Sequence, residues 1–218
     1  MPDAARLRPL DPPHKGLRNA LGVLSLQAGR TEFSDPVAVA DLQATAAGVW
    51  ALLRDHARLE DEFIFARLER AVPGASAPAA EQHPELDATV DELEEMLAGF
   101  DGTQSNDEGH RFVLALVDFQ ARYLAHLVLE ETVIEPLLLE HVTDAEFAAD
   151  QQAVLEGADP ATLMLWFRYI VPARRPADTR PIMANFVANA PPPAVEAVRS
   201  MLAEVLDEPT FRAVFAED

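Results

Sequence analysis

Four histidines and two glutamates in this chain fall into a pattern that can hold metal. His56 is followed four positions later by Glu60, and His126 by Glu130. In an α-helix, residues four apart lie on one face, one turn from each other. His-x-x-x-Glu therefore presents an imidazole and a carboxylate to the same region. Each pair is preceded by a lone histidine, His14 and His83 respectively. The segment His56-Ala-Arg-Leu-Glu60-Asp-Glu-Phe-Ile64 aligns with His126-Leu-Val-Leu-Glu130-Glu-Thr-Val-Ile134, 70 positions further on, and Leu68 and Leu138 continue the match. His14-Lys-Gly-Leu17 aligns with His83-Pro-Glu-Leu86 at a separation of 69. The chain thus reads as two helical hairpins of one design. Packed antiparallel, they bring four imidazoles and two carboxylates together, two imidazoles for each of two ions and two carboxylates to bridge them. Such a ligand set suits iron, zinc or manganese. An ionised Glu60 among Leu53, Phe63 and Ile64 is costly unless it is paired or coordinated, and a metal offsets that cost. A single His-x-x-x-Glu is an ordinary helix-surface pair; the repetition is what points to metal. His110, in a polar stretch, and His141, near a helix C-terminus that favours its charge, are not expected among the ligands.

The elements that must position these residues are all helical. Ala, Leu, Glu and Asp dominate, with 9 Gly in 218 residues, a composition that favours helix over sheet. After a polar, Pro-rich lead-in over 1–13, a first helix is expected from His14 to Gln27, with Leu17, Leu21 and Leu24 on the face of His14. Asp35 caps a second helix with Pro36 in its first turn; it runs to about Arg70, where Val72-Pro73-Gly74 ends it. A third covers Glu81 to Ala98. A fourth runs from Arg111 to His141, bent or ended near Pro136. The prediction is an all-α protein: an up-down-up-down four-helix bundle over residues 1–143, and a C-terminal extension of short, Pro-broken helices over 144–218 packed on it.

Composition narrows the chemistry further. Apolar residues make up 49% of the chain, enough for a sizeable core, and the formal net charge is −20. Such a surface disfavours nucleic acid and anionic membranes as partners. With no Cys, disulfides, thiolate zinc sites and cysteine-held iron–sulfur clusters are excluded, so His and carboxylate must supply any ligands. The N-terminus has no signal-peptide apolar region and no uninterrupted apolar run reaches about 18 residues; a cytoplasmic protein is expected.

The motifs His14-Lys-Gly-Leu-Arg-Asn, His56-x-x-x-Glu60-Asp-Glu-Phe-Ile-Phe, His83-Pro-Glu-Leu-Asp and His126-x-x-x-Glu130-Glu-x-x-Ile-x-Pro136 resemble the cation-binding domain of hemerythrin-like proteins, over about residues 10–142. The resemblance implies a non-haem di-iron centre: two Fe ions, oxo- or hydroxo-bridged, with His14 and His56 on one iron, His83 and His126 on the other, and Glu60 and Glu130 bridging. Members commonly have a fifth histidine, in the oxygen carriers one turn after the third-helix histidine; here that position is Asp87. Either Asp87 is a carboxylate ligand or the second iron has an additional open position. Pro84 is a second departure: the residue before Pro avoids the α region, so this helix is expected to begin at Pro84 with His83 at its cap. The implied partner is a small diatomic ligand or peroxide. Three functions fit: an oxidoreductase consuming peroxide or nitric oxide, an O2 or NO sensor or carrier, and an iron-storage or iron-homeostasis protein without turnover.

Overall fold

The computed structural model describes residues 7–216. It is all-α, with no strand among the described residues. Helix α1 spans Asp11–Ala28. It begins three residues before His14 because Pro12 and Pro13 occupy its first turn, where a missing N–H costs nothing. The expected loose lead-in over 1–13 is therefore corrected for its later part: Leu10 is buried and Arg8 pairs with Glu135. Residues 1–6 lie outside the described residues. Helix α2 spans Pro36–Ala71; the Asp35 side chain accepts from the Val37 backbone N–H, as expected of a cap. A single turn, α3, Ala77–Ala80, leads to α4, His83–Ala98; His83 is itself the first helical residue and not the cap, with Gln82 before it making no side-chain capping bond. Helix α5 spans Asn106–His141. Its start lies earlier than expected because Ser105 and Glu108 form a reciprocal capping box, which satisfies two otherwise orphaned backbone donors.

The long helices form a ring in which α1 packs on α2 and α5, and α4 packs on α2 and α5. Side-chain bonds give the direction of three of these pairs. His14 and Ser25 on α1 meet Glu131 and Gln120 on α5. Gln43 and Asp61 on α2 meet Leu97 and His83 on α4. Arg122 and His126 meet Glu85 and Gln82, on α4 and its cap. Rising numbers on one helix match falling numbers on the other in each case, so these pairs are antiparallel.

Both α2 and α5 leave α-geometry at their glutamates. A π-helical turn covers Glu60–Phe65 in α2 and Glu130–Ile134 in α5, again 70 positions apart. Such wide turns inserted in α-helices concentrate at functional sites. Pro136 follows the second of them and the helix continues to His141. It neither ends the helix there nor needs to, because the wide turn has already shifted the bonding register at which the missing N–H would count.

Two apolar clusters flank this level. Leu21, Leu53, Leu93, Phe119 and Leu127 belong to the larger one; Phe65, Leu68, Ile134 and Leu138 belong to a smaller one beyond it. The His–Glu layer lies between them on α2 and α5. By length and composition these two helices each contain a window apolar enough to cross a membrane, with mean hydropathy 1.3 and 1.5. Core helices of a bundle have that composition too.

Residues 144–214 form five helices: α6 Asp144–Gly157, α7 Pro160–Ile170, α8 Pro176–Asn189, α9 Pro192–Val205 and α10 Glu208–Val214. Four of the five carry Pro in the first turn, where its missing N–H costs nothing; α8 also carries Pro181 inside. Helix α7 lies on α1 and α2, and its Trp166 and Tyr169 enter the larger core. Gly16 makes this approach possible: a Cβ there would sit 2.7 Å from Ile170 Cγ1.

Candidate metal centre

All four helices of the ring contribute to one buried cluster. His14 comes from α1, His56 and Glu60 from α2, His83 from the first residue of α4, and His126 and Glu130 from α5. All six are buried. Their ligand atoms fall into two overlapping groups, His14–His56–Glu60–Glu130 and Glu60–His83–His126–Glu130, each within 4.8 Å, and the groups share both glutamates. Six of the seven candidate residues thus lie together. Asp87 stands outside both groups, half-buried, one turn beyond His83. His110 and His141 are exposed and far from the layer in their own helices.

The imidazoles turn Nε2 inward. His14 Nε2 lies 3.5 Å from Glu60 Oε1 and 3.4 Å from Glu130 Oε2. His56 Nε2 is 3.3 Å from Glu60 Oε1, and His126 Nε2 is 3.1 Å from Glu130 Oε1. His83 Nε2 is 3.6 Å from Glu60 and 3.8 Å from Glu130. Despite this crowding, His56 Nε2, His83 Nε2, Glu60 Oε2 and both Glu130 oxygens are buried without a hydrogen bond among the described residues. Buried polar atoms are almost always satisfied, so five such atoms converging on one spot mark a place where their lone pairs have another partner. A cation fits that donor set: two imidazoles and shared carboxylates at each position.

Three histidines turn Nδ1 outward to an acceptor. His14 Nδ1 is 2.9 Å from Glu131 Oε1. His83 Nδ1 is 3.2 Å from Asp61 Oδ1. His126 Nδ1 is 3.1 Å from Gln82 Oε1. Those oxygens accept, so Nδ1–H donates and Nε2 is the atom left to bind. The alignment of the two hairpins carried this information unread: Glu60-Asp61 matches Glu130-Glu131, and the second acid of each doublet backs a histidine of another helix. Aromatic rings complete the walls. Phe65 stacks on His83 at 5.4 Å, Trp166 stands edge-on to His56 at 6.3 Å, and Tyr123 lies 5.8 Å from His126.

Proton affinities follow from the packing. Burial opposes the charged form of His14, but bonds to Glu131 and Glu60 outweigh it and raise its pKa to about 9. His83 is raised to about 10 against the same opposition from burial, by the nearness of the Glu130 and Glu60 carboxylates. His56 is fully enclosed and burial drives its pKa down. Burial would raise Glu60, yet His56, His14 and His83 hold it well below the usual carboxylate range. Hydrogen bonding to His14, with Arg18 adding to it, lowers Glu131 to about 2. Tyr123 is raised by burial and by the charges of Glu60, Glu130 and Asp87.

The hemerythrin HHE cation-binding domain model matches residues 7–138. The chain belongs to that family. The matched span ends within α5, so it takes in the whole His–Glu layer of this HHE domain and stops short of α6 to α10. No curated protein and no solved structure matches the chain. Membership and the buried His/Glu groups together make this a metal-binding helical protein.

Proposed function

We propose that this HHE protein holds two non-haem iron ions and brings them into reaction with a small oxidant: O2, peroxide or nitric oxide. One observation carries the reading: the two four-residue groups overlap at Glu60 and Glu130, the arrangement two bridging carboxylates need. His14 and His56 would serve one ion and His83 and His126 the other. Bound there, iron would supply redox chemistry and Lewis acidity. The protein's part is to hold, orient and exclude. Glu131, Asp61 and Gln82 set the tautomer of three histidines. The two flanking apolar clusters, with Phe65, Tyr123 and Trp166, keep bulk water from the layer and favour small ligands over large ones. Four protein residues per group would leave coordination positions free at iron for a small oxidant. That favours turnover over simple carriage.

Anaerobic addition of Fe2+ to the metal-free protein should end at two ions per chain. Subsequent exposure to O2, peroxide or nitric oxide should change the visible spectrum with at least one of them. Uptake of no iron, or two irons inert to all three, would sink the reading.

A further inference from the structure

The two halves of the layer match in their inward atoms and differ in what stands behind them. Glu131, behind His14, is held by Arg18: Nη1 lies 2.8 Å from Oε1 and Nη2 3.0 Å from Oε2. Its side chain is 28% exposed. Asp61, behind His83, is 58% exposed and pairs with no Lys or Arg among the described residues. Gln82, behind His126, is a neutral amide. The repeat explains the difference. Arg18 is one turn after His14, and Asp87 is one turn after His83. Where the first hairpin places a guanidinium that grips the backing carboxylate, the second places another acid.

We propose that Arg18, acting through Glu131, makes the His14/His56 position the tighter of two unequal metal positions, and that Asp87 marks where the second position lacks the same clamp. This rests on the two-ion reading above. A two-pronged arginine–carboxylate pair fixes the oxygen that fixes the imidazole. An exposed aspartate is screened by water and free to turn away, so His83 must be ordered when metal arrives. Arg18 is a positioning residue, since it reaches the metal only through Glu131 and His14.

The test is anaerobic calorimetric titration of Fe2+ or Co2+ into the metal-free full-length chain. The wild type should bind in two steps separated at least tenfold, the scale on which backing partners act. Arg18→Gln and Glu131→Gln should weaken the tighter step about tenfold and draw the steps together, and Arg18→Lys should restore part of the gap. Asp61→Asn should touch only the weaker step. Asp87→Arg should strengthen the weaker step by supplying the missing clamp. Circular dichroism of each metal-free variant verifies folding; Arg18 is a partly exposed side chain, so Arg18→Gln carries the test if Glu131→Gln does not fold. Two ions taken up in a single unresolved step, or Arg18→Gln shifting both steps alike, would overturn this proposal and leave the two-ion reading standing. Uptake of fewer than two ions would overturn both.

Discussion

His56 Nε2 comes within 3.3 Å of Glu60 Oε1 without hydrogen-bonding it. The two groups are one turn apart on α2, buried, and of complementary chemistry, so a bond between them would cost little. Their atoms instead converge beside each other on the shared space. Glu60→Gln and Glu130→Gln should therefore lose metal, because an amide removes the charge that two cations share. The loss should exceed the roughly 10–100-fold cost of removing a backing partner. His110→Ala should keep the wild-type metal content. Elemental analysis of the three purified variants checks this, and metal retained by both Gln variants would refute the assignment.

Protons stand in for metal when the protein is stripped. His14 and His83 have folded-state pKa values of about 9 and about 10, against about 6.5 when unfolded. Their contribution to stability is complete below about pH 6.5 and is lost as pH rises through 9 to 10. Glu131, lowered to about 2, contributes above the ordinary carboxylate range, and that share is lost as pH falls through about 2. The Tm of metal-free protein should thus fall between pH 7 and 10, while metal-loaded protein, whose ligands are already deprotonated, should not follow it. Metal uptake at pH 7 should release protons, measurable by titrating in buffers of different ionisation enthalpy. A metal-free Tm that rises through this range would contradict the proton placement.

Much of this site was legible before any coordinates, and the reason is periodicity. A ligand pair four apart on a helix reports its own geometry, and the second copy of His-x-x-x-Glu removed the ambiguity of the first. The helix ends set by Asp35 and Pro36 were legible because a cap is a local signal. What the sequence did not disclose depends on contacts between distant segments. Glu131 and Arg18 are 113 positions apart, and Trp166 reaches Asp55 across 111. The wide turns at Glu60 and Glu130 have no residue signature of their own. Arg8 lies in a Pro-rich stretch whose composition carries no sign of its partner, yet its guanidinium Nε sits 2.9 Å from Glu135.

Trp166 ties the C-terminal helices to the centre. Its Nε1–H donates to Asp55 Oδ2 at 2.8 Å, next to His56, and its ring is buried. Trp166→Phe removes the bond to a carboxylate and retains most of the packing, at a cost of about 1.5–3 kcal/mol. Trp166→Ala also opens a cavity and should cost about 3–5 kcal/mol. Denaturant unfolding of the metal-free protein measures both. Equal losses in the two variants would mean that the hydrogen bond, not the packing, holds α7 to the bundle.

Asp87 is the position at which residue type and helix geometry part company. It lies one turn beyond His83, at the position where the family resemblance expects a ligand, yet it falls outside both ligand groups. A histidine extends several bonds from the backbone to Nε2, whereas an aspartate carboxylate ends two atoms past Cβ, so a shared face is not a shared centre. Its charge still crosses the gap, since Asp87 helps raise the pKa of the buried Tyr123 hydroxyl. Asp87→Ala should therefore leave the metal content and the visible spectrum of the loaded protein unchanged, while the Tyr123 phenol, relieved of one nearby negative charge, ionises at a lower pH than in the wild type. Absorbance titration of the phenolate follows the second effect in the metal-free protein. Loss of an ion, or a changed spectrum with both ions present, would return Asp87 to the ligand set.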